Sequence, residues 1–328
     1  MLQLDKTEIV IRQRTTSELL DLSLVVIRRY WRPLMLSSAL LGLPLLILNV
    51  ALTSWMLGGT GRFAALDFSD PESATQWRFV LHMIALWYLE FPLASLPATL
   101  LIGNQIFFEK LNFRELLGRL RPVLIRSIFV LGILRFGLVG IPLEFFVDSN
   151  VAFDPFVEIF LLVVLCCGWA TFRRMFHPFA PEILGLEGCK LRVTSKSELS
   201  YWRRSSSLHL PIASDCFTRH FIGAIVVIGL VMSLYSLAFV GDFVALRKGN
   251  VQLFNALLSG QTLIQILLPL AMWLGGVYAT VFRFLDYLDA RIRLEGWEVE
   301  LQLKAEQARL IELIGPLNAP SPAMPVAP

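Results

Sequence analysis

The chain has 328 residues, 55% of them hydrophobic and 17% charged, with a formal net charge of +3; its mean hydropathy is +0.64. A soluble domain of this length carries about 25% charged residues, so the composition excludes an ordinary water-soluble globule, and the small net charge gives no footing for nucleic-acid binding. Its four cysteines lack CxxC or CxH spacing, which suggests neither a disulfide framework nor a zinc site.

Residues 1–32 form a charged cytoplasmic leader with no early apolar core, unlike a cleaved secretory signal. From Thr15 to Arg32 the spacing predicts an amphipathic helix: Thr15 and Glu18 fit a capping box, and Leu20, Leu24, Ile27 and Trp31 recur at helical intervals. Arg28, Arg29 and Arg32 beside Tyr30 and Trp31 suit a membrane interface.

Residues 33–172 are expected to hold four membrane spans. Span one covers about 33–57, long enough for the roughly 20 residues a bilayer core requires. The segment 58–76, with its glycines, Pro71, Asp67, Asp70 and Glu72, predicts an outside loop. Span two, about 77–108, is over-long and contains Pro92 and Pro97, so a kink or break is expected. In EKLNFRELLGRLRP, Leu111, Leu116, Leu117 and Leu120 oppose Lys110, Arg114, Arg119 and Arg121, which predicts an inside surface helix. Spans three and four follow at about 123–146 and 156–172.

Residues 173–220 are a polar cytoplasmic block carrying Arg173, Arg174, Lys190, Arg192, Lys196, Arg203, Arg204 and Arg219. Spans five and six lie within 221–282. A charged helix is expected over 283–314, with Gly296 as its weak point, and a proline-rich disordered tail over 315–328. With this assignment the inside segments hold 24 of the 29 lysines and arginines, against four outside and one buried. The positive-inside rule then places both termini in the cytoplasm. The fold class is all-α, a polytopic transmembrane bundle of six spans with interfacial and cytoplasmic amphipathic helices.

Two ionisable residues lie deep in apolar runs. Glu90 is about 20 Å of helix from the outer end of span two and Arg135 about 17 Å from that of span three. An unpaired charge at mid-bilayer costs roughly 2.5–3.5 kcal/mol, so the matching depths predict a buried Glu90–Arg135 pair, either fixing register or lining a polar cavity. Arg173, Arg174, Arg203 and Arg204 are expected at the membrane surface on anionic headgroups, with RRSSS at 203–207 as a phosphate-contact alternative. Arg291 and Arg293, on the charged helix, are candidate contacts for a protein partner, or that helix folds back over the polar block. His82, His177, His209 and His220 are scattered, so no metal site is expected; GxSxG, HExxH, GxxxxGK[ST] and GxGxxG are absent from the sequence, and no cofactor or catalytic residue is assigned.

RTTSELLDLSLVVIRRYWRPL, IFFEKLNFRELLGRLRP, PEILGLEG, RRSSSLH and FLDYLDARIRLEGWEVELQL, in that order, make the chain resemble the bacterial polytopic proteins related to the glycerophosphoryl diester phosphodiesterase membrane-domain family. The resemblance implies a six-span, multi-pass module of the bacterial inner membrane. The hydrolytic barrel of fused members, with its His-Arg start and metal-binding carboxylates, has no counterpart in this sequence. The expected function is a non-enzymatic scaffold or accessory subunit holding membrane lipid or a protein partner at its cytoplasmic face. Its rival is a transporter or permease-like protein using Glu90 and Arg135.

Overall fold

The computed structural model describes residues 13–57, 71–106, 113–136, 138–142, 157, 160–191, 200–247 and 263–296. Most of the outside loop after span one, the turn between spans three and four, the connection before span six, the charged helix beyond Gly296 and the proline-rich tail lie outside the described residues. Among the described residues every element is helical and none is a strand.

Helix α1 runs from Thr16 to Thr53. Its start is closed by the expected capping box: the Thr15 side chain accepts from the Glu18 N–H, and the Glu18 carboxylate accepts from the Thr15 N–H at 3.0 Å. The leader and the first span are one helix, kinked at Tyr30 (φ −109°, ψ 25°). Pro33 lies three residues on; it lacks an N–H to donate and its ring presses on the preceding turn.

Helices α2 (Pro71–Ala94) and α3 (Leu96–Ile106) are bent by 40° at a break on Ser95. The kink expected between Pro92 and Pro97 is present, since Pro97 removes a ladder hydrogen bond just past the break. The Ser95 hydroxyl satisfies a freed carbonyl by donating to Pro92 O at 2.9 Å.

Helix α4 (Phe113–Ser127) buries Leu116, Leu120 and Val123 as one stripe and leaves Leu117 and the arginines outward. It runs on through a π-helical turn, Ile128–Ile133, and breaks near Phe136, which adopts φ 62°. For a bulky residue this left-handed conformation is strained.

A second π-helical turn, Phe160–Cys167, leads into α5 (Gly168–Phe176). The polar block then folds into two short helices, α6 (Ala180–Gly185) and α7 (Tyr201–His209). Through the tight turn Leu210–Ile212, α7 passes into α8 (Ala213–Arg247). Helix α9 (Leu268–Glu295) ends at Gly296 in the left-handed conformation, φ 58°, where glycine has no Cβ penalty.

Helix α9 is the centre of the bundle. It packs against α1, α2, α3, α7 and α8, and every residue from Thr280 to Ala290 is buried. Gly275 and Gly276 let neighbours come close: a Cβ would stand 2.6 Å from Val231 at the first and 2.9 Å from the Trp87 ring at the second. The larger core, with Leu19, Ile102, Leu120, Ile183, Tyr201 and Phe284, lies where α9 meets the polar block. A smaller one at the opposite end includes Leu46, Phe79, Met83 and Met272.

By length and composition, three helical stretches can cross a membrane: Thr16–Thr53, Tyr201–Ser236 and Gln265–Glu295; a fourth does so if the bent α2–α3 pair is one span. Six is not reached among the described residues, because the third and fourth expected spans are broken at Phe136 or fall partly outside them. Helix α8 presents Phe217, Phe221, Ile225, Ile228 and Met232 outward. That is an apolar stripe suited to lipid tails.

Candidate functional site

The second half of α9 carries Arg283, Asp286, Asp289 and Arg293, spaced by three or four residues so that successive charges lie along one face. The first three are buried, so each needs a partner. Arg283 Nε donates to Glu182 Oε1 of α6 at 2.7 Å. Its Nη2 donates to Ser95 Oγ at 2.8 Å and Thr99 Oγ1 at 3.4 Å, and the guanidinium lies over the Phe91 ring at 5.5 Å. The break between α2 and α3 is therefore docked onto α9 and the polar block by one arginine.

Arg135 stands at the broken end of the helical run that begins with α4, within electrostatic reach of Arg283. It is 5% exposed, and its Nε has no hydrogen-bond partner. The strongest electrostatic influences on it come from Arg174, Tyr88, Arg283 and Tyr201, none of them a carboxylate. Arg174, on α5, lies within electrostatic reach of Tyr88 and of Arg283 in turn. Tyr201 is fully buried with an unpartnered hydroxyl, and Glu182 has one oxygen, Oε2, likewise unpartnered. Six segments thus bring together three guanidiniums, two phenols and one carboxylate, with Arg135, Arg283, Glu182 and Tyr201 buried and Arg174 and Tyr88 half-buried. Three guanidiniums against one carboxylate leave an excess of positive sign in surroundings less polar than water, where like charges repel more strongly. Such an arrangement accommodates an anion with several acceptor oxygens, the geometry that guanidiniums match best.

Around this cluster the polar block is stapled to α9. Arg204 of α7 holds Glu187 through two hydrogen bonds of 2.6 and 2.8 Å and also reaches Glu295. Tyr287 donates to Glu187 Oε1 at 2.6 Å, and Arg291 bridges to Glu295 at 2.8 Å. A second staple joins α8: Arg219 meets Asp286 Oδ1 at 2.8 Å and Asp289 Oδ2 at 2.7 Å, and Arg293 shares Asp289. The chain start is tied in as well, for Arg14 N donates to Asp289 Oδ1 and Arg14 O accepts from Arg219 and Arg293.

Glu90 and Arg135, expected as a candidate pair, make no ion pair with each other. Glu90 is buried on α2 and accepts from Asn49 Nδ2 of α1 at 2.7 Å, whereas Arg135 joins the arginine cluster. Of the residues expected at the membrane surface, Arg174 turns inward to that cluster and Arg173 stacks on Trp202 at 5.1 Å. Arg204, Arg291 and Arg293 bind carboxylates of their own chain, and Arg203 is exposed. The RRSSS stretch is helical within α7, and its buried Ser205 pairs with His177 Nδ1 at 2.7 Å. Burial, reinforced by the charge of Arg173, pushes His177 down to about 4, so that ring is neutral near pH 7. The described part of the charged helix, through Glu295, continues α9 without a break, and the polar block packs against it.

Arg283, Glu182 and Tyr201 were not singled out from the sequence. Their signals were present in PEILGLEG and in the dense charge alternation just after span six. A carboxylate and an arginine 101 positions apart carry no local mark of partnership. No protein-family model matches the chain, nor does any curated protein or solved structure.

Proposed function

We propose that this is a six-span protein of a bacterial inner membrane with both termini in the cytoplasm, a non-enzymatic accessory protein that holds the phosphate-bearing headgroup of an anionic lipid in the Arg135 cluster. The observation that carries the reading is the Arg135 guanidinium, 5% exposed and with Nε unpartnered, near Arg174 and near Arg283, whose own charge is answered by Glu182. An anion seated there would satisfy the free donor and turn mutual repulsion into shared attraction. Lipid is favoured over soluble phosphate because the cluster sits where helices of membrane-crossing length meet a basic, interface-like block. The resemblance to membrane-domain proteins without a hydrolytic barrel agrees with binding rather than catalysis.

The test is native mass spectrometry of protein extracted in a mild detergent, comparing the parent with Arg135→Gln and Arg174→Gln. The parent is expected to keep a tightly held anionic phospholipid, identified by mass, and each variant to lose it while remaining monodisperse. Added anionic lipid should raise the melting temperature of the parent more than that of the variants. Equal lipid retention in all three overturns the reading, and a retained mass equal to phosphate assigns the site to the free anion.

A transporter reading retains one supporting observation: the bent α2–α3 pair, whose break presents the Ser95 and Thr99 hydroxyls to Arg283 of the polar cluster. Under that reading the Arg135 variant loses flux of the lipid across proteoliposomes rather than retention alone.

A further inference from the structure

Next to the arginine cluster, but built from other residues, lies a second constellation. Cys216 and His220 are one helical turn apart near the start of α8, a spacing that puts both side chains on one face. Against that face α9 presents Asp286. The Cys216 Sγ is 3.4 Å from His220 Nδ1, His220 Nδ1 is 3.6 Å from Asp286 Oδ2, and the three ligand atoms all lie within 4.8 Å of one another. Cys216 and Asp286 are buried and His220 nearly so.

We propose that Cys216, His220 and Asp286 form a binding site for a divalent transition-metal ion of the zinc type. Zinc takes thiolate sulfur at about 2.3 Å and imidazole nitrogen or carboxylate oxygen at about 2.0–2.2 Å in a tetrahedron, whose edges are then roughly 3.3–3.6 Å. The two measured edges have that length, and the sulfur-to-oxygen edge, which is within 4.8 Å, completes the triangle. A mixed sulfur, nitrogen and oxygen set selects such an ion over magnesium or calcium, which take oxygen alone. The second observation is the orphaned oxygen: Asp286 Oδ2 is buried without a hydrogen bond, while its Oδ1 is fixed by Arg219 at 2.8 Å. This division of labour, one oxygen held by an outer partner and the other free, is how ligating carboxylates are oriented.

The surroundings set the conditions of binding. Arg219 on α8, Arg174 on α5 and Arg283 on α9 bring positive charge to the site, and Asp215 and Asp289 bring negative charge. Metal uptake displaces the Cys216 thiol proton to solvent, so the ion arrives with a thiolate and a carboxylate to balance its two charges. His220 Nδ1 also lies 2.8 Å from Cys216 O, the backbone carbonyl one turn back. Coordination through Nδ1 breaks that contact and leaves the ring proton on Nε2. The three protein ligands leave a fourth tetrahedral position for water.

The experiment uses the full chain without a histidine tag, expressed with zinc and purified without chelator, with elemental analysis of the parent, Cys216→Ala and Asp286→Asn. Stoichiometric zinc in the parent and its loss from both variants is expected. Because Asp286 also anchors Arg219, cobalt(II) titration of the chelator-stripped parent and of Cys216→Ala supplies an independent readout. The parent should develop the near-ultraviolet thiolate-to-cobalt band, and the alanine variant should not. A stripped parent that takes up cobalt without that band, or takes up none, overturns the site. Zinc retained at full stoichiometry by Cys216→Ala overturns it as well.

Discussion

At the residue scale, the strongest constraint on this protein is the need to satisfy charges that α9 buries. Arg219 answers two aspartates, and all three side chains are at most 8% exposed. Replacing it with leucine leaves Asp286 and Asp289 without their main counter-ion, because Arg293 reaches only Asp289. Breaking one partner out of a buried ion pair costs about 3–5 kcal/mol. Arg219→Leu is therefore expected to lower the melting temperature markedly in detergent. The Arg135 variants described above are expected to change delipidated stability far less, since they remove a repelled charge rather than a paired one. Glu90 shows how far sequence reaches at this scale. Its depth in the bilayer follows from counting residues, and burial was expected. Its azimuth around α2, which aims it at Asn49 rather than Arg135, follows from how α1 and α2 pack.

At the element scale, the local devices were legible. The capping box of Thr15 and Glu18, the break between Pro92 and Pro97 and the burial of Leu116 and Leu120 on α4, though not of Leu117, are short-range consequences of hydrogen bonding and sterics, so the residues that cause them lie within one or two turns. What sequence could not fix was continuity: it separates the leader from span one and the surface helix from span three, while the structure runs each pair together, because an interfacial segment and a span differ in surroundings and not in backbone. Close approach is also an element property. A Cβ at Gly223 of α8 would stand 2.6 Å from the Phe282 ring, whereas one at Gly118 of α4 would meet nothing within 4 Å. Gly223→Ile is expected to push α8 from α9 and destabilise the protein by about 1–3 kcal/mol. Gly118→Ala is expected to stabilise it by roughly 0.5–1 kcal/mol, since it relieves a poor helix former on an exposed surface. Thermal denaturation of the two variants in one detergent checks both signs.

At the scale of the whole molecule, the polar block is a folded cap on the end of α9, held by Arg204, Glu187, Tyr287 and Glu295. The proposed orientation puts this cap in the cytoplasm. A cysteine at Arg203, which is exposed on α7, is expected to react with a membrane-impermeant maleimide from the cytoplasmic face of inverted vesicles and not from the outside of spheroplasts, over the background of the parent. Labelling from the outside only reverses the topology. Composition and periodicity by themselves determined that the described residues are helical with several apolar segments of membrane length, and that the chain breaks between Pro92 and Pro97 but not that it kinks at Tyr30, because the first three depend on residues near in sequence and on the solvent they meet. Only the tertiary structure decided which charges meet. Arg283 with Glu182, Arg219 with Asp286 and Asp289, and Cys216 with Asp286 are joined by helix rotation and packing around α9, and electrostatic partnership depends on distance in space, which separations of 101, 67 and 70 positions along the chain do not reveal.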